Sequence, residues 1–171
     1  MIRAFPTCGP VRYHHASFPT HRAFDIFGRE GAPVYAVEAG TIFKRNTALD
    51  LLGGYLVGLR AESGRLYWMT HLQEPGRYPA GTRVRAGQRI GRLGQTGNAP
   101  SPHIHFQAVS PQGRALDVYD ELKAVERSTA TQTAAGGHVG CPTSPLVWAA
   151  VLGAGYLAWR YRKRLRRIVR A

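Results

Sequence analysis

Cysteine is scarce in this chain, because Cys8 and Cys141 are the only two among 171 residues. Their wide separation excludes the closely spaced pairs of a zinc knuckle or a CxxC redox site. A disulfide-rich scaffold is also excluded, and a chain of this length buries enough apolar surface to fold without cross-links. The two cysteines flank the main predicted domain. The sequence leaves open two unrelated thiols or a single disulfide formed in an oxidising compartment.

Acidic residues are also few, since 10 Asp and Glu oppose 23 Lys and Arg and the net charge is +13. Seven of the basic residues lie in 160–171, which contains no acidic residue, so the remaining chain carries +6. A chain this basic suits a polyanionic partner such as nucleic acid, anionic lipid or a cell-wall polymer. The basic cluster comes directly after an apolar segment, and no nucleic-acid-binding motif precedes it. We therefore predict that the chain does not bind nucleic acid.

The sequence lacks a recognisable N-terminal signal peptide, because residues 1–10 contain no apolar core segment. It also lacks a long apolar run near its C-terminus, where the uncharged stretch 146–159 would extend about 21 Å as a helix against a bilayer core of about 30 Å. Ser144 suits a helix N-cap and Pro145 the first helical position. We predict that residues 145–171 form a membrane-anchoring helix with a basic tail. A buried helix and a membrane-permeabilising helix are the alternatives.

Glycine and proline are abundant instead, with 20 and 11 residues, and they separate short apolar runs in the way that turns separate strands. We predict a mainly β domain over residues 1–125, a compact antiparallel sheet, followed by a flexible linker over 126–144. The predicted strands are 32–37, 40–45, 54–60, 65–72, 82–93 and 103–109, and the one predicted helix in this domain is 117–125.

Two histidines in the last predicted strand are candidate metal ligands. His103 and His105 are two residues apart, so on a strand they point to the same face while Ile104 and Phe106 point to the core. Two surface histidines without a function are the alternative. An HxH pair on a strand is a moderately specific sign of a metal site.

Three further residues have side chains suited to the same chemistry. His21 and Asp25 are four residues apart, and imidazole and carboxylate are both good zinc ligands. His71 ends the strand 65–72. A catalytic zinc site needs three protein ligands and one open position, which His21, Asp25 and one histidine of the HxH pair can supply. The two histidines left over can act as general acid, general base or oxyanion donor.

The order of these motifs resembles the LytM/lysostaphin-like M23 metallopeptidases. The supporting segments are "APVYAVEAGTIFKR" after the first motif and "VRAGQRIGRLGQTG" before the HxH pair. The resemblance covers about residues 14–109. One departure is Ala23, where such proteins commonly have glycine between the first histidine and the aspartate, and its small side chain is expected to have little effect.

The resemblance implies a duplicated-hybrid-motif-like β fold and a role for each site residue. His21, Asp25 and His105 are expected to bind Zn²⁺, and His71 and His103 are expected to act as catalytic residues. The implied substrates are peptidoglycan stem peptides or cross-bridges.

The leading hypothesis is therefore a membrane-tethered zinc endopeptidase that acts on peptidoglycan. The positive-inside rule puts its catalytic domain in the cell envelope, facing the periplasm or cell wall. The alternatives are a non-catalytic LytM-like activating or binding module, and a lytic protein with a membrane-active cationic tail. Groove loops such as 44–53 and 76–81 are expected to determine which bond is cut.

Overall fold

The computed structural model describes residues 1–9, 11–13 and 18–134, and most of the regular structure in these residues is β-strand. A short helix, α1 (Phe18–His21), comes first and a longer helix, α2 (Tyr119–Ala134), comes last. The strands between them are β1 (Phe24–Phe27), β2 (Pro33–Tyr35), β3 (Gly40–Arg45), β4 (Tyr55–Ala61), β5 (Leu66–Leu72), β6 (Arg83–Val84), β7 (Arg89–Arg92) and β8 (His103–Val109).

Six of the strands form one sheet in the order β1-β8-β5-β4-β3-β6, and β2 pairs with β7 in a separate two-stranded sheet. Every one of these pairs is antiparallel. The prediction of a mainly β, antiparallel domain is therefore confirmed. The order brings β1 and β5, which are distant in sequence, to either side of β8.

The large sheet has one buried face, because its central strands alternate between apolar and polar residues. On β8, Ile104 and Phe106 are both fully buried, as the alternation predicts. Tyr67 and Met69 on β5 are also fully buried. The residues between them are only part-buried and lie on the opposite face of the sheet, which we call the open face. Because one face of the large sheet is buried in the core, the open face is directed toward solvent.

Several predicted boundaries differ from the structure. The predicted strand 82–93 is two strands, β6 and β7, because a turn in which Gln88 N–H donates to the Arg85 carbonyl interrupts it. β1 and α1 were not predicted, since four residues each are too short for a clear periodic pattern. Each is held by its tertiary partners.

The helix predicted over 117–125 is α2, which continues to Ala134 and so into the segment 126–144 that was predicted as a flexible linker. Alanine and glutamate there favour a helix, which the small, polar composition of the whole segment obscured. Within the described residues, no helix has the length and apolar character that crossing a membrane requires. The rest of the predicted linker, Cys141 and the predicted anchor 145–171 lie outside the described residues.

Candidate metal centre

Five polar side chains meet at one end of the open face. Asp25 on β1 lies directly opposite His105 on β8, and Thr70 on β5 lies opposite His105 on the other side. Residues opposite each other in a sheet share a face, so this register places the Asp25 carboxylate beside the His105 ring. His21 ends α1 and His103 begins β8. The structure thus brings together all the residues that the sequence singled out, with His71 joining from β5.

Three ligand atoms form a small triangle. The His21 Nε2 atom lies 3.2 Å from Asp25 Oδ1 and 3.1 Å from His105 Nδ1, and the last two atoms are 2.9 Å apart. Zinc bonds of about 2.0–2.2 Å in a tetrahedral arrangement hold ligand atoms about 3.3 Å apart. The observed distances are within a few tenths of an ångström of that value. The side chains therefore fit a zinc ion with little rearrangement.

The charge and exposure of these groups also suit a cation. Burial disfavours ionisation of Asp25, but the hydrogen bond from His105 and the nearby positive charges of protonated histidines lower its pKa to about 2. The side chains of His21, Asp25 and His105 remain 39%, 32% and 27% exposed. Water and a substrate can therefore reach the point where the three ligand atoms converge.

The His103 ring is held by a hydrogen bond to the backbone next to this triangle. Its side chain is only 4% exposed, and its Nδ1 atom lies 2.8 Å from the Ser101 carbonyl oxygen. A carbonyl can only accept, so Nδ1 carries the proton. The Nε2 atom then faces Asp25 Oδ1 at 3.8 Å. The Nε2 atom is therefore the ring nitrogen that is turned toward the centre.

His71 is fixed in the same way but from a strained backbone. Its Nδ1–H donates to the Thr96 carbonyl at 2.8 Å, and its backbone N–H donates to the Gly53 carbonyl at 2.8 Å. Its φ angle is +61°, which is uncommon for a residue other than glycine. This conformation interrupts the alternation of β5, so the ring lies 4.7 Å from the His103 ring. Burial lowers the pKa of His71, which favours its neutral form.

The supporting residues around His71 were not found by sequence reasoning. The Thr96 hydroxyl donates to the Leu72 carbonyl at 2.6 Å and accepts from the Tyr55 N–H at 3.0 Å. Gly54 has a φ angle of +62°, and a Cβ there would lie only 2.1 Å from the Thr96 Oγ1 atom. The paired glycines at 53 and 54 are the one sequence signal that could have indicated this close approach.

Comparison with known proteins places this site in a family. Residues 19–118, more than half of the chain, match the family described as peptidase family M23. The chain belongs to peptidase family M23. The match contains all five site residues, and the resemblance found from the sequence is confirmed.

Among the relatives of this M23 chain, the glycyl-glycine endopeptidase ALE-1 of Staphylococcus capitis is 36% identical over 91 residues, which is 53% of this chain and 25% of ALE-1. The peptidoglycan DD-endopeptidase ShyC of Vibrio cholerae is 30% identical over 105 residues, 61% of this chain and 22% of ShyC. This chain thus spans about a quarter of the length of these relatives. The crystallised catalytic domain of lysostaphin from Staphylococcus simulans is 31% identical with a TM-score of 0.54, and the match covers 71% of this chain and 92% of that domain.

Proposed function

We propose that this M23 chain is a zinc-dependent endopeptidase that hydrolyses peptide bonds in peptidoglycan stem peptides or cross-bridges. The observation that carries the proposal is the triangle of ligand atoms beside two further imidazole rings. Three protein ligands and an accessible open side are typical of a catalytic zinc site, whereas structural sites have four protein ligands. A non-catalytic module would not need the two additional histidines.

His21, Asp25 and His105 would hold the zinc ion through the three atoms that already converge. Zinc bound there would supply Lewis acidity, which lowers the pKa of water and polarises a substrate carbonyl. The imidazoles of His21 and His105 must be neutral to act as ligands. The ionised carboxylate of Asp25 offsets part of the positive charge of the ion.

His71 and His103 would perform the proton transfers. Each has its Nδ1 proton committed to a backbone carbonyl, so each Nε2 atom is free to take a proton from the attacking water or to donate one. One imidazole would accept the proton as general base while the other, when protonated, would donate a hydrogen bond to the developing oxyanion. The imidazole that took the proton from water can then give that proton to the leaving amine, while the oxyanion donor keeps its own.

The open face supports a peptide as the substrate. A peptide in extended conformation can lie across strands β1, β8 and β5, where Asp25, His105 and Thr70 stand in one row. Two of the relatives are named for endopeptidase activity, on glycyl-glycine bonds and on peptidoglycan. A protein with this activity works in the cell envelope, facing the periplasm or cell wall.

The direct test is clearing of a peptidoglycan suspension by the purified chain, followed by mass spectrometry of the released fragments. We expect clearing to stop with a chelator and to return with added zinc. His105→Ala should abolish both zinc binding and clearing, whereas Gln107→Ala, on the same strand and the same face, should preserve both. Full clearing by a folded His105→Ala variant would refute the proposal.

Attachment to a membrane through residues 145–171 stays a prediction from the sequence. Sedimentation with anionic vesicles, with and without these residues, tests it. Dye release from the same vesicles separates an anchor from a permeabilising tail. Loss of sedimentation without 145–171, and no dye release in either case, is the result expected for an anchor.

A further inference from the structure

Two aromatic rings lie together on the open face, away from the histidines. Trp68 on β5 and Phe43 on β3 pack edge to face, with ring centroids 4.9 Å apart. Both side chains are part-buried. The Trp68 indole N–H makes no hydrogen bond with any group in the described part of the chain. The pair is thus an apolar surface with one unused donor.

A β-bulge and a glycine create this pair. The pairing of β3 with β4 slips between Ile42 and Lys44, and such a bulge re-aims side chains at the extra residue. Ile42 stays in the core, while Lys44 lies opposite Gly58, whose other neighbour in the sheet is Trp68. A Cβ at Gly58 would lie 2.7 Å from the Phe43 ring. The missing side chain at this position is therefore what lets the Phe43 ring lie against Gly58 next to Trp68.

Two cations border the aromatic pair. The Lys44 Nζ atom lies 5.7 Å from the Trp68 ring centroid, and the Arg60 Cζ atom lies 5.8 Å from that of Phe43. Both side chains are exposed, and neither forms an ion pair with any described residue. Asp50 interacts electrostatically with Lys44, but its Oδ1 atom already accepts hydrogen bonds from two backbone N–H groups. Both cations can thus bind an external anion.

This surface is within reach of a substrate at the candidate zinc site. Trp68 is two residues along β5 from Thr70, which is opposite His105. With a rise of about 3.3 Å per residue and strands about 4.8 Å apart, the Trp68 and His105 Cα atoms are about 8 Å apart. An extended peptide covers that distance and the width of the Trp68 ring in about three residues.

We propose that Phe43, Lys44, Arg60 and Trp68 form a subsite that binds a carboxylate-bearing part of the peptide substrate, about three residues from the scissile bond. We call these four residues the aromatic–cation subsite. The proposal rests on the proposed function for the identity of the substrate. The rings contact the apolar part of the ligand, while the two cations and the indole N–H bind its carboxylate.

Calorimetric binding of two muropeptides to the full chain tests this proposal. One muropeptide carries its free carboxyl groups and the other has them amidated. Zinc is present, and His71→Ala is included in every protein to suppress turnover. Lys44→Gln with Arg60→Gln removes both charges from the subsite, and Arg85→Gln with Arg114→Gln removes two exposed charges elsewhere as the matched control.

We expect the acidic muropeptide to bind more tightly than the amidated one. The Lys44→Gln/Arg60→Gln variant should lose this preference, with about tenfold weaker binding of the acidic form, since each exposed ion pair contributes modestly. The control variant should retain the preference. Equal affinity for both muropeptides, or an unchanged preference in the subsite variant, would overturn the proposal.

A second variant separates a peptide ligand from a glycan. Gly58→Ala displaces the Phe43 ring and should weaken binding of the acidic muropeptide several-fold. A neutral N-acetylglucosamine oligomer is the probe for a glycan. If it binds tightly, and its binding depends on Gly58 but not on the two cations, the carboxylate subsite is refuted and the surface stacks on sugars. Hydrolysis by the unmodified chain is measured separately. Its absence, with charge-dependent binding retained, would refute the proposed catalysis and leave the subsite standing.

Discussion

Replacement of Thr96 by valine tests how the protein holds His71, the proposed catalytic histidine. Valine has nearly the same shape as threonine but lacks the hydroxyl group. That hydroxyl donates to the Leu72 carbonyl at 2.6 Å and accepts from the Tyr55 N–H at 3.0 Å, so it joins β4 to β5 next to His71. The Thr96 carbonyl, which survives the substitution, is the group that accepts the His71 Nδ1 proton. The change therefore perturbs the position of His71 without deleting any direct contact to its ring.

The two hydrogen bonds of the Thr96 hydroxyl determine how much stability the Thr96→Val substitution should cost. Removing one partner of a buried hydrogen bond costs about 1–3 kcal/mol, because the group left behind loses its partner without regaining water. Both bonds here are only part-buried. We therefore expect the free energy of unfolding to fall by about 2 kcal/mol in total. We expect kcat to fall about 10- to 100-fold, by analogy with the loss of groups that orient metal-ligating histidines.

Three measurements separate positioning from a general loss of structure. Urea denaturation gives the stability, and bound zinc should remain unchanged because Thr96 contacts none of the three ligand atoms. Long-range ¹H–¹⁵N spectra report which nitrogen of His71 carries its proton. Thr96→Ser keeps the hydroxyl and should restore both kcat and the spectrum. Unchanged kcat and an unchanged His71 signal in Thr96→Val would refute this account of how His71 is held.

Three further predictions follow from the contacts of individual residues. Gly40→Ala places a Cβ 2.2 Å from the Arg60 carbonyl oxygen, so urea denaturation should show a loss of about 2–3 kcal/mol, and an unchanged midpoint would contradict this packing. Burial opposes ionisation of Glu121, but hydrogen bonds from the Ile2 N–H and Arg65 lower its pKa below 4.5, so it stabilises the fold above that pH and less as pH falls through the lowered pKa. Glu121→Gln should therefore lose about 1 kcal/mol at pH 7, and its difference from the unmodified chain should shrink as pH falls through the lowered pKa, measured by thermal unfolding across pH. Zinc affinity should fall on acidification because protons compete with zinc for the ligand imidazoles, and calorimetry in buffers of different ionisation enthalpy should detect protons released on binding.

The arrangement of β8 could be predicted from the sequence because it depends on local alternation alone. His103 and His105 share a face whenever the segment is a strand, and the apolar residues between and after them require that face to be the open one. The composition of the candidate site could be predicted for a different reason, since it depends on residue types and on the order of the motifs along the chain. These predictions need no knowledge of which strands are neighbours.

The features that could not be predicted depend on pairing between distant segments. Asp25 faces His105 only because β1 lies beside β8, and a strand of four residues gives no sequence signal of its partner. The left-handed conformation of His71 and the bulge before Lys44 also depend on contacts between segments that are distant in sequence. The first needs the backbone carbonyl of Gly53 and the second needs the pairing of β3 with β4, and no periodic pattern encodes either.

The loop between β3 and β4 connects exposed apolar side chains to the backbone that supports His71. Leu51 and Leu52 in this loop are 88% and 70% exposed, which is unusual for large apolar side chains and suits contact with a ligand. The Leu52 carbonyl accepts the Asn98 N–H from the segment that leads into β8, and the next carbonyl, that of Gly53, accepts the His71 N–H. A shift of this loop on substrate binding would therefore change the backbone support of His71 directly. Because His71 already holds an uncommon φ angle, its position depends on such support more than that of a residue in relaxed strand geometry. Substitutions in the exposed part of this loop should therefore alter kcat as well as KM, although neither leucine contacts a ligand atom of the site.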